Sequence, residues 1–137
     1  MPTDPADVRA SLDRQSFMAL LGAAATVVED GHVEIEVAYR ADLCQQNGYL
    51  HAGVVTSIAD SACGYAALTR MPEGSDVLSV EFKVNLLAPA RGDRVVADAR
   101  VVRSGRKLTV CQAEVRAVAE GRADVTVAVM QATMIAR

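Results

Sequence analysis

The second half of the chain is a succession of strand-like runs, and this feature constrains the fold more than any other. The runs are rich in Val, Leu, Ile and Thr, as strands are, and they span residues 77–87, 94–103, 107–118 and 123–135. Short connections rich in Gly, Pro, Ser and charged residues separate them. Connections this short predict antiparallel pairing in a meander, because parallel strands need a longer crossover.

The first half of the chain predicts a hairpin preceded by a helix. Residues 25–28 and 33–39 flank the turn Glu29-Asp30-Gly31, and apolar and polar residues alternate along the second run. Asp4-Pro5 is a helix-start signal and Gly22 a helix-end signal. Between them, apolar residues recur at roughly helical spacing, which predicts one amphipathic helix: Val8, Leu12, Phe17, Leu20 and Leu21.

A longer helix is predicted from Ala52 to Arg70, ended by the turn Pro72-Glu73-Gly74. The fold class that follows is α+β. We expect an antiparallel sheet of five or six strands, with the long helix across one face and a shorter N-terminal helix before it. Some strands are apolar at successive positions, so the other sheet face is expected to meet a partner.

Length, charge and composition narrow the class of protein. A chain of 137 residues predicts a single domain over residues 1–137. The net charge of -3 argues against nucleic-acid binding, which requires clustered cations. With 51% hydrophobic but only 4% aromatic residues, the core must consist of small side chains, which favours a homo-oligomer. Three cysteines without metal-site spacing, a charged N-terminus and the lack of a long apolar run predict a cytoplasmic protein without disulfides or membrane contact.

The long helix carries one acidic residue, Asp60, on an unusual face. At 100° per residue, Gly53, Thr56, Ser57 and Gly64 lie within about 60° of it. A solvated face would carry Lys, Glu and Arg, so this lean stripe permits the close approach of a ligand or of the helix of a second subunit. The alternative is that Asp60 caps a neighbouring turn or faces a surface pocket. The opposite helix face is apolar and is predicted to pack on the sheet: Val54, Val55, Ile58, Ala62 and Tyr65.

Other reactive residue types have simpler interpretations. His51 directly precedes the helix, so a hydrogen bond that orients the chain entry is favoured over proton transfer. His32 is the only other imidazole and no ligand spacing is present, so no metal site is expected. Cys63 is interpreted as a small buried hydrophobic residue.

Several motifs together resemble one family. Gly48, His51-Ala52-Gly53 and Asp60, then VEFKVNLLAPA at residues 80–90 and SGRKL at residues 104–108, resemble in order and spacing the hotdog-fold acyl-CoA thioesterases of the PaaI type. The resemblance spans residues 45–135. It implies a helix wrapped by a sheet, a dimer whose sheets join, often a dimer of dimers, and two active sites at the subunit interface. It implies an acyl-CoA substrate and no cofactor, since CoA is part of that substrate.

The resemblance also implies roles for individual residues. Asp60 would attack the thioester carbonyl or activate water, and the N–H of Ala52 at the helix N-terminus would polarise the carbonyl. Gln45 stands where the family usually has Asn, and we favour it over Asn47 as the amide donor. Ser79 matches a serine that helps to place the water. His51, Gly53, Asn47, Ser57 and Gly64 are expected to contact substrate, and Arg103, Ser104, Gly105, Arg106, Lys107 and Leu108 to contact CoA.

Besides Gln45, one further departure from the family pattern and two alternative functions accompany the resemblance. Ala52 replaces a usual glycine, so its methyl group is expected to narrow the approach of the thioester. A hotdog hydratase or dehydratase would use His51 and Asp60 as an acid–base pair, which the half-turn offset between them makes awkward. A non-catalytic acyl-CoA-binding module is the other alternative. The acyl group stays open between aromatic, such as phenylacetyl, and short-to-medium aliphatic.

Overall fold

The computed structural model describes all 137 residues. The elements are α1 (Pro5–Asp13), α2 (Ser16–Leu21), β1 (Ala24–Glu29), β2 (His32–Ala38), a short 3-10 helix (Ala41–Leu43), α3 (Ala52–Leu68), β3 (Val77–Leu86), β4 (Arg94–Ser104), β5 (Leu108–Ala119) and β6 (Arg122–Ala136).

The six strands form one antiparallel sheet in the order β1-β2-β4-β5-β6-β3. The predicted hairpin and the four later strands are confirmed to within a few residues at their ends. The meander prediction holds for β4, β5 and β6 but is wrong for β3, which pairs with β6 at the sheet edge. The reason is that β4 pairs with β2 on one side and with β5 on the other, so β3 cannot pair with β4. The chain after β3 therefore has to cross from the sheet edge to reach β4. Leu87 fastens this connection by donating its N–H to the Val127 carbonyl at 2.8 Å.

Helix α3 packs against the sheet and forms the centre of the core. It contacts β2, β3, β4, β5 and β6, and its inner residues Ile58, Ala59 and Ala62 are fully buried. The small side chains let the sheet wrap closely around the helix, which is the hotdog architecture that the resemblance implies. The helix ends at Thr69, whose hydroxyl donates to the Ala66 carbonyl and accepts the Gly31 N–H, so this cap also ties the helix to the β1–β2 turn.

The N-terminal segment corrects the sequence prediction, because it forms two helices instead of one. The chain turns at Gln15, which has extended backbone angles, and α2 starts afresh at Ser16. The break changes which side chains face inward: Met18 is buried, whereas Phe17 and Leu20 are exposed. The segment before α1 is joined to the segment after α3, because the Thr3 hydroxyl donates to the Met71 carbonyl at 3.0 Å.

No helix of the structure combines the length and hydrophobicity needed to cross a bilayer. Edge strand β3 and the residue after it carry five large apolar side chains that are 43–57% exposed: Leu78, Val80, Phe82, Leu86 and Leu87.

Candidate active site

Asp60 is held by a residue of the neighbouring strand. Its carboxylate is half-buried and accepts a hydrogen bond from the hydroxyl of Ser79, with 2.6 Å between Oγ and Oδ1. Ser79 lies on β3 beside an irregularity in its pairing with β6, and its Oγ is also 3.4 Å from the sulfur of Met134. The carboxylate therefore does not cap a local turn. It is oriented by a charge-assisted bond between helix and strand.

The carboxylate lines a cavity of about 500 Å³ between α1, α3 and β3. A cavity of this size is in the usual range for small-molecule sites. The lean stripe of α3 contributes Gly64 to its wall, and a Cβ there would make only ordinary contacts, at 3.9 Å from Met134 and Val77. Gly53, at the N-terminal end of the stripe, is exposed, whereas Gly64, at its C-terminal end, is buried.

A second pocket, of about 360 Å³, lies at the start of α3 and contains Gln45 and Ala52. The Gln45 Oε1 accepts the N–H groups of Asn47 and Tyr49, at 2.5 and 3.3 Å, which fixes the amide and leaves its NH₂ group without a partner in the chain. Asn47 is exposed and does not line this pocket. The structure therefore places Gln45, and not Asn47, next to the helix start.

The backbone N–H groups in the first turn of α3 differ in whether they have a hydrogen-bond acceptor. The Gly53 N–H donates to Nδ1 of His51 at 2.7 Å, and the Val54 N–H donates to the His51 carbonyl at 2.9 Å. The Ala52 N–H has no acceptor in the chain. A free first-turn amide at the positive end of the helix dipole favours negative charge beside it.

The two pockets do not meet within one protomer. Asp60 is eight positions after Ala52, and at 1.5 Å per residue their backbones are about 12 Å apart along the helix axis. A single carbonyl group cannot contact both. Within one protomer, Asp60 and the Ala52 amide therefore belong to two separate pockets.

The remaining residues of the helix start have structural contacts. His51 is exposed and caps the helix, as its position indicates, and it does not line the cavity of Asp60. Gly53 is in close contact with this cap, since a Cβ there would be 2.9 Å from the His51 Nδ1. Ser57 donates to the Gly53 carbonyl at 2.5 Å.

The β4–β5 turn is exposed throughout. The Gly105 N–H donates to the Leu108 carbonyl at 2.8 Å, and a Cβ on Gly105 would be only 2.6 Å from that oxygen, so the turn requires glycine. None of the cations Arg103, Arg106 and Lys107 forms an ion pair within the chain, which leaves them available to an anionic ligand.

The structure also reveals a charge cluster that the sequence did not indicate. His32 Nε2 is 2.8 Å from Asp98, and Arg116 is 3.0 Å from Glu34 and 3.8 Å from Asp98. The atoms of His32, Glu34 and Asp98 lie within 4.8 Å of one another, close enough to share a cation, but Arg116 already compensates the carboxylates. Burial lowers the pKa of Arg116, but the hydrogen bond that Arg116 donates to Glu34 and the charges of the nearby carboxylates raise this pKa overall. Only the strand register, which the sequence does not display, brings these residues together on the sheet face away from α3.

Fold and site together define a hotdog-fold protein of the thioesterase class. The sequence profile of the thioesterase superfamily matches residues 47–123, which is more than half of the chain. The chain therefore belongs to the thioesterase superfamily, and this membership supports hydrolase activity.

Individual proteins are similar over most of the chain. A crystal structure of a thioesterase family protein from Silicibacter pomeroyi is 48% identical, with a TM-score of 0.91 and 94% of each chain covered. The PaaI protein from the phenylacetic acid degradation operon of E. coli is 22% identical, with a TM-score of 0.79 over 92% of this chain and 87% of that one, a likeness that concerns the fold alone. A protein of Halobacterium salinarum described as a candidate esterase is 28% identical over 113 residues, 79% of this chain and 74% of its own.

Proposed function

We propose that this protein is an acyl-CoA thioesterase that hydrolyses an acyl-CoA to the free acid and CoA. The observation that carries the proposal is the Asp60 carboxylate, half-buried, oriented by Ser79 at 2.6 Å and lining a 500 Å³ cavity, in a chain of the thioesterase superfamily. In the reaction the carbon–sulfur bond breaks, a carbon–oxygen bond to the oxygen of water forms, and the thiolate takes up a proton.

Asp60 supplies the base or the nucleophile. The carboxylate either attacks the thioester carbonyl carbon, to give an anhydride that water then opens, or takes a proton from the attacking water. Ser79 keeps the carboxylate pointing into the cavity and is placed to hold that water. The oxyanion that develops on the carbonyl oxygen would accept the Ala52 N–H and a hydrogen bond from the Gln45 amide.

The complete site requires a second copy of the chain, since Asp60 and Ala52 are about 12 Å apart along their own helix. Edge strand β3 is ten residues long and carries exposed apolar side chains, which is the kind of edge that pairs with another strand. It also carries Ser79, so a partner paired with β3 lies next to Asp60. We infer a two-fold dimer, alone or in a dimer of dimers, in which Asp60 of one protomer faces Ala52 and Gln45 of the other.

The CoA part of the substrate fits the β4–β5 turn. Its phosphates would be bound by Arg103, Arg106 and Lys107, which have no competing carboxylate within the chain. Three unpaired thiols are consistent with a reducing, cytoplasmic setting: Cys44, Cys63 and Cys111.

The hydratase alternative is weaker on this geometry. The backbones of His51 and Asp60 are about 13.5 Å apart along the helix axis, and the Nδ1 of His51 accepts the Gly53 N–H. A non-catalytic binding module differs from a thioesterase only by turnover, so the decisive experiment measures turnover.

The test compares the wild type with Asp60→Asn in a thiol-release assay over a panel of aromatic and aliphatic acyl-CoA thioesters. The loss of a general base or nucleophile should lower kcat by about 10² to 10⁴. Asp13→Asn, on the exposed surface of α1, is the matched control and should keep wild-type kcat. Equal turnover by Asp60→Asn would remove Asp60 from the mechanism, and tight binding without thiol release by the wild type would indicate a binding module.

A further inference from the structure

The cavity that contains Asp60 has a polar lining, and this bears on the acyl group. Only 6 of its 18 lining residues are hydrophobic. Helix α1 and the turn after it, which precede the segment matched by the superfamily profile, form one wall with Ser11, Arg14 and Gln15. A plain aliphatic chain would desolvate these groups without giving them a partner, which is unfavourable.

The polar wall is centred on the hydroxyl of Tyr65, a residue with only 6% of its surface exposed. The amide NH₂ of Gln15 donates to this hydroxyl at 2.9 Å, and the Ser11 hydroxyl lies 3.3 Å from it. The side-chain carbonyl oxygen (Oε1) of Gln15 has no donor within the chain, and the Tyr65 proton can turn towards Ser11 or towards a ligand. Gln15 lies at the break between α1 and α2, and its hydrogen bond to Tyr65 holds this side chain against α3.

The charges that line the cavity disfavour two kinds of anionic ligand. Asp7, Asp60 and Asp76 line it together with a single cation, Arg14. This excess of acid disfavours the CoA phosphates and equally disfavours an acyl chain that ends in a carboxylate. The part of the substrate that enters is therefore the acyl group, and its end is uncharged.

The distance from the reacting carboxylate suits a short acyl group. Asp60 and Tyr65 are five residues apart on α3, so their backbones are separated by about 7.5 Å along the axis. A short chain or one ring spans this length from the thioester carbonyl.

We propose that Gln15 and Tyr65 determine the acyl specificity, by binding a neutral hydroxyl group at the far end of a short acyl chain. This inference rests on the proposed thioesterase function. The hydroxyl would donate to the side-chain Oε1 of Gln15 and accept the proton of Tyr65. The N-terminal helix thereby takes part in substrate choice, although it is remote in sequence from Asp60.

The test uses three thioesters of equal chain length: hexanoyl-CoA, omega-hydroxyhexanoyl-CoA and adipoyl-CoA, which end in a methyl, a hydroxyl and a carboxylate. One or two buried hydrogen bonds should give the hydroxyl substrate about a three- to tenfold advantage in kcat/KM over hexanoyl-CoA. Adipoyl-CoA should be the poorest of the three. In Gln15→Leu, in Tyr65→Phe and in the double variant, the hydroxyl-over-methyl ratio should fall towards one, while Asp13→Asn keeps the wild-type ratio.

Binding separates this inference from the reaction. The same three thioesters are titrated calorimetrically into Asp60→Asn, with and without the Gln15 and Tyr65 substitutions, and thermal unfolding checks each fold. If the wild type hydrolyses none of them but Asp60→Asn binds the hydroxyl ligand best, the thioesterase proposal fails and the specificity proposal stands. An unchanged ratio in the folded double variant, a preference for hexanoyl-CoA or adipoyl-CoA, or no binding of any of the three overturns the specificity proposal.

Discussion

The free amide of Ala52 can be deleted with little other change to the structure. Ala52 is the first residue of α3, where proline is well tolerated, and the preceding residue His51 already has the extended angles φ -60° and ψ 142° that proline demands of its neighbour. The Ala52 N–H has no acceptor within the chain, so Ala52→Pro breaks no internal hydrogen bond. We expect the variant to fold with a Tm within a few degrees of the wild type.

The expected loss is kinetic. Removal of one donor to a developing oxyanion costs about 2.7 to 4 kcal/mol, which corresponds to about a 10²- to 10³-fold lower kcat. The assay is thiol release at saturating acyl-CoA, with circular dichroism as the check of the fold. Ala52→Gly keeps the N–H and is the matched control, so its kcat should stay near that of the wild type. A folded Ala52→Pro with undiminished kcat would refute the role of this amide.

The same variant tests the shared site. Asp60→Asn and Ala52→Pro chains are each nearly inactive, but a hybrid dimer has one site with an intact Asp60 from one chain and an intact Ala52 from the other. After unfolding and refolding of an equimolar mixture, random association should restore about a quarter of wild-type activity. No recovery, with hybrids demonstrated by mass spectrometry, would contradict a site composed from two protomers.

Two further predictions concern the edge strand and the thiols. Val80→Glu combined with Phe82→Glu places charges on the exposed β3 edge and should reduce the mass measured by light scattering to that of a monomer, whereas Leu20→Gln, at an exposed apolar residue of α2, should not. In the native protein a thiol reagent should modify Cys44 alone, because burial raises the pKa of Cys63 strongly and that of Cys111 to about 12. Reaction of all three thiols without denaturant, or an unchanged mass of the double variant, would contradict these two predictions.

Local pattern predicted the elements of this protein and the residue on which the proposed chemistry depends. The strands from Val77 onward and the helix from Ala52 follow from periodicity and turn residues, which are properties of neighbouring positions. The lean stripe around Asp60 is visible for the same reason, because a helix has a fixed rotation per residue. The role of His51 as a helix cap also followed from its position alone.

Long-range packing decided the rest. The order of strands puts β3 at the edge and so brings Ser79 to Asp60, and no local pattern encodes which strand an edge strand joins. The break at Gln15 and its bond to Tyr65 depend on where α1 lies over α3, across 50 residues of chain. Hydrogen bonds between distant segments arise only when the core has packed. The sequence therefore determined the helices and strands and the face of α3 that carries Asp60. The tertiary structure determined which residues surround the Asp60 carboxylate.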